Sequence, residues 1–197
     1  MTISEIRTAL IVDNVPGQDD AWSALEALGV ERVECVGGAS AALQRLDGGV
    51  DLLLLEASLP DAGALQVIAR ARGLRRPPII VVMGEATPGR LVAELMAGGA
   101  DSYAERPLLA EQLGPQLERL TDGEALCQQL ARLLVGRVGL KEAQYHLRGT
   151  MNTEALVRTR GSRRAAADLL GVDRRYVQHM VAEFGAPKAA SALASDA

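Results

Sequence analysis

The sequence predicts an open α/β fold over about the first 120 residues, followed by a smaller all-helical region. Strand-length apolar runs alternate with amphipathic helical patterns in the first part, and only helical patterns occur in the second. The charge divides in the same way. Residues 1–123 contain 10 basic and 18 acidic side chains, whereas residues 124–188 contain 11 basic and 6 acidic ones. The basic second region is therefore the place where nucleic acid would bind.

Five apolar runs predict the strands of a parallel sheet, because their hydrophobicity is continuous rather than alternating and both faces should be buried. They are residues 8–14, 33–36, 50–56, 77–84 and 101–105. Amphipathic patterns at 19–30, 65–74 and 89–99 predict helices between them, the first with Trp22, Leu25 and Leu28 on one face.

Polar and unusual residues follow these runs, and the carboxyl ends of parallel strands meet at one edge of a sheet, where ligands bind. The candidate site residues are Asp13, Asn14, Glu56, Met83, Tyr103 and Arg106.

The segments "LIVDN", "DLLLLEASLP" and "GADSYAERPL" resemble landmarks of the receiver domain of bacterial two-component response regulators. The resemblance covers residues 1–122 and implies a flavodoxin-like fold with a five-stranded parallel sheet. In that family two acids hold Mg²⁺, an aspartate accepts a phosphoryl group, and a Ser or Thr and a lysine assist. Here only Asp13 matches. The other positions hold Asn14 for the second acid, Glu56 for the acceptor, Met83 for the hydroxyl and Arg106 for the lysine.

These departures predict a receiver fold without phosphoryl-transfer chemistry. The extra methylene of Glu56 moves its carboxylate by about 1 Å, which is costly where in-line geometry matters. The Met83 thioether donates no hydrogen bond. We expect no enzymatic activity, no cofactor and no bound metal.

Two interpretations of Glu56 stay open. It is either a fixed mimic of the charged state, in a forked ion pair with Arg106, or the product of drift, with its carboxylate solvated at the sheet edge. Tyr103 aligns with an aromatic residue that swings inward on activation in the family. It is expected either to be locked in one state or to be an ordinary core tyrosine.

The segment "GEATPGRL" has the glycine spacing of a phosphate-binding loop, but Arg90-Leu91 stands where that motif needs Lys-Ser or Lys-Thr, so no nucleotide is expected. Thr87 is instead predicted to cap the next helix.

Residues 123–186 predict a helical domain. Leu126, Leu130, Leu133 and Leu134 form one apolar stripe. Further on, "RRAAADLL" and "RRYVQHMVAEF" are two short helices, with Ser162 and Asp173 as caps and Gly171 in the turn between them.

The stretch "GSRRAAADLLGVDRR", within residues 140–184, resembles the Fis-type helix-turn-helix of bacterial regulators. The resemblance implies a homodimer formed by the helices at 124–138 and 140–158, which binds double-stranded DNA with the last helix in the major groove. The DNA-binding residues it implies are Arg160, Ser162, Arg163, Arg164, Asp173, Arg174, Arg175, Gln178 and His179.

We therefore expect a phosphorylation-independent bacterial transcription regulator, with a protein or small molecule as a possible regulator of the receiver. The alternative is an interaction module that binds other regulators and has little affinity for DNA. Residues 187–197 are expected to be a disordered tail. Cys35 and Cys127 are expected to be buried or half-buried. The N-terminus has no signal-peptide pattern and no apolar run spans a membrane, so a cytoplasmic location is expected.

Overall fold

The computed structural model describes residues 5–14, 19–60 and 63–185. Its strands all lie in the first part of the chain. They are β1 Thr8–Val12, β2 Arg32–Val36, β3 Leu52–Glu56, β4 Ile79–Gly84 and β5 Ser102–Glu105. Both ends of each strand lie within two residues of the ends of the corresponding predicted run, so all five predicted strands are confirmed.

Helices alternate with these strands and then continue alone. They are α1 Asp20–Ala27, α2 Ala39–Arg45, α3 Ala64–Arg72, α4 Gly89–Ala97, α5 Ala110–Thr121, α6 Gly123–Leu134, α7 Leu140–Arg158, α8 Arg163–Leu170 and α9 Arg174–Phe184. Among them, α2 was not predicted, since its short run of alanines carries a weak amphipathic pattern.

The five strands form one parallel sheet in the order β2-β1-β3-β4-β5. The register pairs Glu56 of β3 with Met83 of β4, and Met83 with Ala104 of β5. The residues that end β1, β3, β4 and β5 therefore lie at the same edge of the sheet, as predicted.

Alternate residues of each central strand enter two separate cores, one on each face of the sheet. On β3, Leu53 and Leu55 pack toward α2, α3 and α4, whereas Leu52 and Leu54 pack toward α1 and α5. All four leucines are fully buried, and burying a leucine contributes about 1.5–3 kcal/mol. This double burial explains why the run "LLLLE" shows no alternation.

The chain divides into two compact units, Met1–Gln128 and Gln129–Ala197. The division falls inside α6, and the proposed boundary at residue 122 stays a prediction. In the second unit, α7, α8 and α9 pack around a small core of Ala155, Leu156, Ala166, Ala167 and Val177. The predicted disordered tail, 187–197, lies outside the described residues.

Several expectations about single residues were wrong. The predicted apolar face of α1, with Trp22, Leu25 and Leu28, is buried only in part: Trp22 is 43% exposed, because α1 packs on the sheet through Ala21, Ala24 and Leu25. Both cysteines are exposed and free. Cys35 lies on β2, which is an edge strand, and Cys127 lies on α6, which buries no residue.

Thr87 does not cap α4. The helix has Pro88 at its N-cap position and no side-chain cap. The Thr87 hydroxyl instead lies beside Gly84, where a β-carbon would collide with it. In the part of the chain that is described, no helix is long and apolar enough to cross a membrane.

Candidate functional site

The carboxyl edge of the sheet gathers the candidate residues of the first unit around one arginine. Asp13 follows β1, Glu56 ends β3, Met83 lies in β4 and Arg106 follows β5. The backbone N–H of Arg106 donates to the Gly84 carbonyl, which extends the β4–β5 pairing and places the arginine beside β4. Asp13, Glu56 and Arg106 are all buried, with at most 8% of each residue exposed.

The Arg106 guanidinium contacts three carboxylates. Nη2 donates to Asp13 Oδ2, Nη1 donates to Asp20 Oδ1 at 2.7 Å, and Nε lies 3.5 Å from Glu56 Oε2. Nη2 also lies 3.4 Å from the Met83 sulfur, which is a weak acceptor. One arginine thereby connects β1, α1, β3 and β4. Its peptide bond to Pro107 is cis.

Sequence reasoning missed Asp20. This residue begins α1, and its second carboxylate oxygen accepts a 2.7 Å hydrogen bond from the Leu108 backbone N–H. A carboxylate in the first turn of a helix is also stabilised by the helix dipole. The signal was present as the pair Asp19-Asp20, which opens the helix that follows β1 and so lies near the same sheet edge.

Glu56 differs from both interpretations offered for it. It is buried rather than solvated, and its contact with Arg106 is a single 3.5 Å approach rather than a forked pair. The fork fails because the Nη1 and Nη2 groups of Arg106 bind the two aspartates. Glu56 Oε1 accepts a 3.1 Å hydrogen bond from the Ser58 backbone N–H.

Burial raises the pKa of Glu56 above its ordinary value, and the negative charge of Asp13 acts in the same direction. The Ser58 N–H and the Arg106 guanidinium oppose this effect without cancelling it. Arg106 compensates Glu56 only in part, since the same cation makes closer contacts with two aspartates.

Two further predicted residues lie at the edge of this cluster. Asn14 is exposed, one residue beyond Asp13. Tyr103 is half-buried, packs against the core on the α2–α4 face, and donates from its hydroxyl to the Gly84 carbonyl at 3.0 Å. The Tyr103 ring therefore combines a core position with a fixed polar contact.

The resemblance to receivers implies Mg²⁺ at this edge, but the residues present do not fit it. The carboxylate of Asp13 contacts the Arg106 guanidinium. The position of the second acid is held by Asn14, whose side chain is an uncharged, exposed amide. Within residues 5–14, 19–60 and 63–185, no group of three acidic, histidine or cysteine side chains converges as a metal ligand set. A hard divalent cation needs several oxygen ligands directed at one point.

A groove of about 270 Å³ lies beside this cluster, between α3 and α4. Its lining includes Ala57, Ser58 and Leu59, which directly follow Glu56 in sequence, together with Leu65 and Leu91. Its lining is mainly apolar.

In the second unit, α8 and α9 are joined by the three-residue turn 171–173. Gly171 has a φ of 66°, a left-handed conformation that glycine adopts without steric cost. Ser162 caps α8 by accepting from the Ala165 N–H, and Asp173 caps α9 by accepting from the Tyr176 N–H at 2.8 Å. Both predicted caps are confirmed. They contribute typically about 1 kcal/mol each.

The predicted DNA-binding side chains of this unit are solvent-exposed. Val177 and Met180 form the buried side of α9, at 0% exposure. The exposed set is Arg160, Ser162, Arg163, Arg164, Asp173, Arg174, Arg175, Gln178 and His179. Their role in DNA binding stays a prediction, and the side chains of Ser162 and Asp173 are already engaged as helix caps.

Arg148 of α7 contacts three residues of α9. Its Nε donates to the Tyr176 hydroxyl at 3.1 Å, and its Nη2 lies 3.3 Å from the Met180 sulfur and 3.8 Å from Glu183 Oε2. Glu183 also lies 3.9 Å from His179 Nε2. The only acidic side chain within α9 is therefore directed at Arg148 and His179.

Comparisons with known proteins identify the fold of the first unit. A CheY-like receiver domain from Methanospirillum hungatei JF-1 matches with a TM-score of 0.53 and 22% identity, over 63% of this chain and 99% of that one. The BeF3-activated DrrB receiver domain matches with a TM-score of 0.51 and 18% identity, over 58% of this chain and 96% of that one. The chain thus has an N-terminal flavodoxin-like receiver fold with a five-stranded parallel sheet, followed by a helical region.

The receiver domain of a sensor histidine kinase from Pseudomonas aeruginosa PAO1, which holds a magnesium ion in its active-site cleft, matches with a TM-score of 0.48 and 21% identity, over 57% of this chain and 95% of that one. No family model and no curated protein matches the chain.

Proposed function

We propose that the chain is an atypical response regulator: a bacterial transcription regulator that binds double-stranded DNA as a homodimer and works without phosphorylation. The observation that carries the proposal is the pair α8–α9, two capped helices joined by a glycine turn. The front of the second helix presents Arg174 and Arg175 to solvent. A helix-turn-helix places the start of its second helix against base edges.

The charges around the turn support DNA as the ligand. Arg160, Arg163 and Arg164 are exposed on the α8 side, where they would bind phosphates. Arg174 and Gln178 lie one turn apart on α9 and suit guanine and adenine edges respectively. Glu183, which pairs with Arg148 and His179, lies at the C-terminal end of α9. It is therefore away from the end of the helix that is predicted to enter the DNA major groove.

The apolar surface of α6 supports a dimer. Leu126, Leu130 and Leu133 are 45%, 37% and 53% exposed, and α6 buries no residue. A 12-residue helix is only marginally stable alone. A second copy of the chain would cover this stripe and place two recognition helices about one DNA turn apart.

The cluster at the sheet edge supports independence from phosphate. Glu56 stands at the acceptor position, Met83 supplies no hydroxyl, and Arg106 is engaged by Asp13 and Asp20. A phosphoryl group would have to displace these contacts. Regulation would then come from a protein, or from a small molecule in the groove beside Glu56.

The first test is binding of the full chain to a library of genomic DNA fragments, followed by titration of the enriched fragments. We expect an imperfect palindrome to be enriched and Arg174→Glu/Arg175→Glu to lose it. The matched control is Arg75→Glu/Arg76→Glu, which reverses two adjacent exposed arginines of the receiver. It should bind DNA almost as the wild type does. Without enrichment at low salt, the interaction-module alternative would replace the proposal.

A second test addresses phosphorylation. The protein is incubated with acetyl phosphate and Mg²⁺, and its intact mass is measured. We expect no gain of a phosphoryl group. A labile adduct on an acidic residue would refute phosphorylation independence while leaving DNA binding to be judged on the first test.

A further inference from the structure

Three carboxylates and one guanidinium form a nearly closed cluster at the carboxyl edge of the sheet. The exposed fractions of the side chains are 5% for Arg106, 5% for Asp13, 11% for Glu56 and 19% for Asp20. Each of the three nitrogens of the guanidinium faces a different carboxylate. A planar, permanently charged fork suits this arrangement, whereas a spherical cation would draw the oxygens toward one point.

Backbone N–H groups complete the cluster. The second oxygen of Asp20 accepts from the Leu108 N–H, and the second oxygen of Glu56 accepts from the Ser58 N–H. These bonds fix both carboxylates in the orientation that faces Arg106. The cluster contains three acidic groups and one cation. The two N–H donors and the start of α1 stabilise the negative charge that Arg106 does not balance.

We propose that Arg106 is the resident cation of this site and stands in the place of the Mg²⁺ that the receiver resemblance implies. The folded receiver therefore neither requires nor takes up a divalent cation. The inference deepens the phosphorylation independence proposed above and does not depend on DNA binding.

The test follows the thermal unfolding of the full chain with and without 10 mM Mg²⁺ or Mn²⁺. Trp22, the one tryptophan of the chain, lies two residues after Asp20 and reports on this region by fluorescence. The wild-type Tm should not shift. A site with a Kd of about 1 mM would raise the Tm by about 4 °C at this concentration, so a shift of that size in the wild type overturns the proposal.

Arg106→Met should lower the Tm of the receiver by about 10 °C, because it leaves three carboxylates buried together without their cation. Once the guanidinium no longer holds the three carboxylates apart, Mg²⁺ or Mn²⁺ should draw them together and restore at least half of this loss. If the divalent cations restore nothing, Arg106 is only a structural residue and the inference fails. Should this variant not fold, Arg106→Lys, which keeps one positive charge, takes its place. The expected result is then a lowered Tm without any response to Mg²⁺, and a response equal to that of a bound cation would overturn the proposal.

Arg72→Met is the matched control. Arg72 forms a 2.6 Å ion pair with the single carboxylate of Asp101 and donates to the Gly99 carbonyl. Its loss should lower the Tm without any recovery in Mg²⁺. The acetyl phosphate experiment, repeated with EDTA in place of Mg²⁺, separates the two proposals: a phosphoryl adduct formed without Mg²⁺ refutes phosphorylation independence and leaves the cation proposal intact.

Discussion

Arginines occupy two opposite environments in this protein. Arg106 is buried and contacts Asp13, Asp20 and Glu56 inside its own domain. Arg174 and Arg175 are exposed at the start of α9 and form no ion pair with any residue that the structure describes. The first side chain has its partners within the chain, whereas the other two have charges available to an external partner.

We interpret this difference as one between a site that stabilises the fold and the proposed site of DNA recognition. A buried charge must be compensated internally, because desolvation is costly. An exposed arginine carries no such requirement and can give its charge to a phosphate or a guanine. In a receiver fold, ligands usually bind at this edge of the sheet. Here the charged side chains at that edge pair with one another, and the exposed arginines lie in the helical unit.

Salt should produce the largest contrast between the two environments. If Arg160, Arg163 and Arg164 of each protomer contact phosphates, the dimer neutralises about six phosphates, and DNA affinity falls about a thousandfold between 50 and 200 mM salt. The buried cluster is screened far less. Receiver unfolding followed over the same range should therefore shift by less than about 2 °C. A flat DNA titration would contradict the assignment of these arginines to phosphates.

The exposed leucines of α6, like the exposed arginines, are proposed to contact a partner, which for the leucines is a second copy of the chain. Leu130→Glu should raise the dimer dissociation constant by at least about tenfold, because a charge would be placed in an apolar interface. Light scattering coupled to size-exclusion chromatography measures the mass across a concentration series.

Leu109→Glu provides the control for that variant. Leu109 is 46% exposed, but it directly precedes α5 and belongs to neither α6 nor α7. It should leave the dimer unchanged. If the wild type is monomeric at all concentrations, or if both variants dissociate equally, the stripe on α6 is not the dimer contact.

The strands, the two short helices α8 and α9 and the turn between them could be predicted from sequence because their signals are local. Continuous leucines give a doubly buried strand, and Ser162, Gly171 and Asp173 each perform the capping or turn role that their chemistry suggests. The short helix α2 and the exposure of Trp22 could not be predicted in the same way. The first has little apolar content, and the second depends on which side of α1 meets the sheet.

The arrangement of the charge cluster was harder to predict, because it depends on contacts between distant segments. Asp20 is 86 residues from Arg106 in sequence. Sequence reasoning brought Glu56 and Arg106 to the same edge, but it offered only a forked pair or a solvated carboxylate. It did not include Asp20, which accepts a hydrogen bond from Nη1 of the same guanidinium. The residue at the end of a predicted strand can therefore be identified from the sequence. The sharing of one arginine among three carboxylates is visible only in the folded structure.

The smallest expected effect comes from Glu56, the carboxylate that Arg106 compensates least. Its pKa is raised from the ordinary value of 4.5, so Glu56 binds its proton more tightly in the folded state than in the unfolded chain. That contribution to stability is complete below about pH 4.5 and is lost as pH rises through the raised pKa. Glu56→Gln removes the charge and keeps an oxygen for the Ser58 N–H. It should therefore be more stable than the wild type at pH 7.5, by about 1 kcal/mol or less.

Chemical denaturation at a series of pH values measures this difference, which should shrink toward zero as the pH falls below 4.5. Glu105→Gln is the control, since Glu105 is exposed at the same end of β5. Asp13 and Asp20 still compensate Arg106 in the Glu56 variant, so no cation is left alone. A loss of stability at pH 7.5 would mean instead that the 3.5 Å contact between Glu56 and Arg106 outweighs the cost of burying the carboxylate. The cluster would then need all three of its acids.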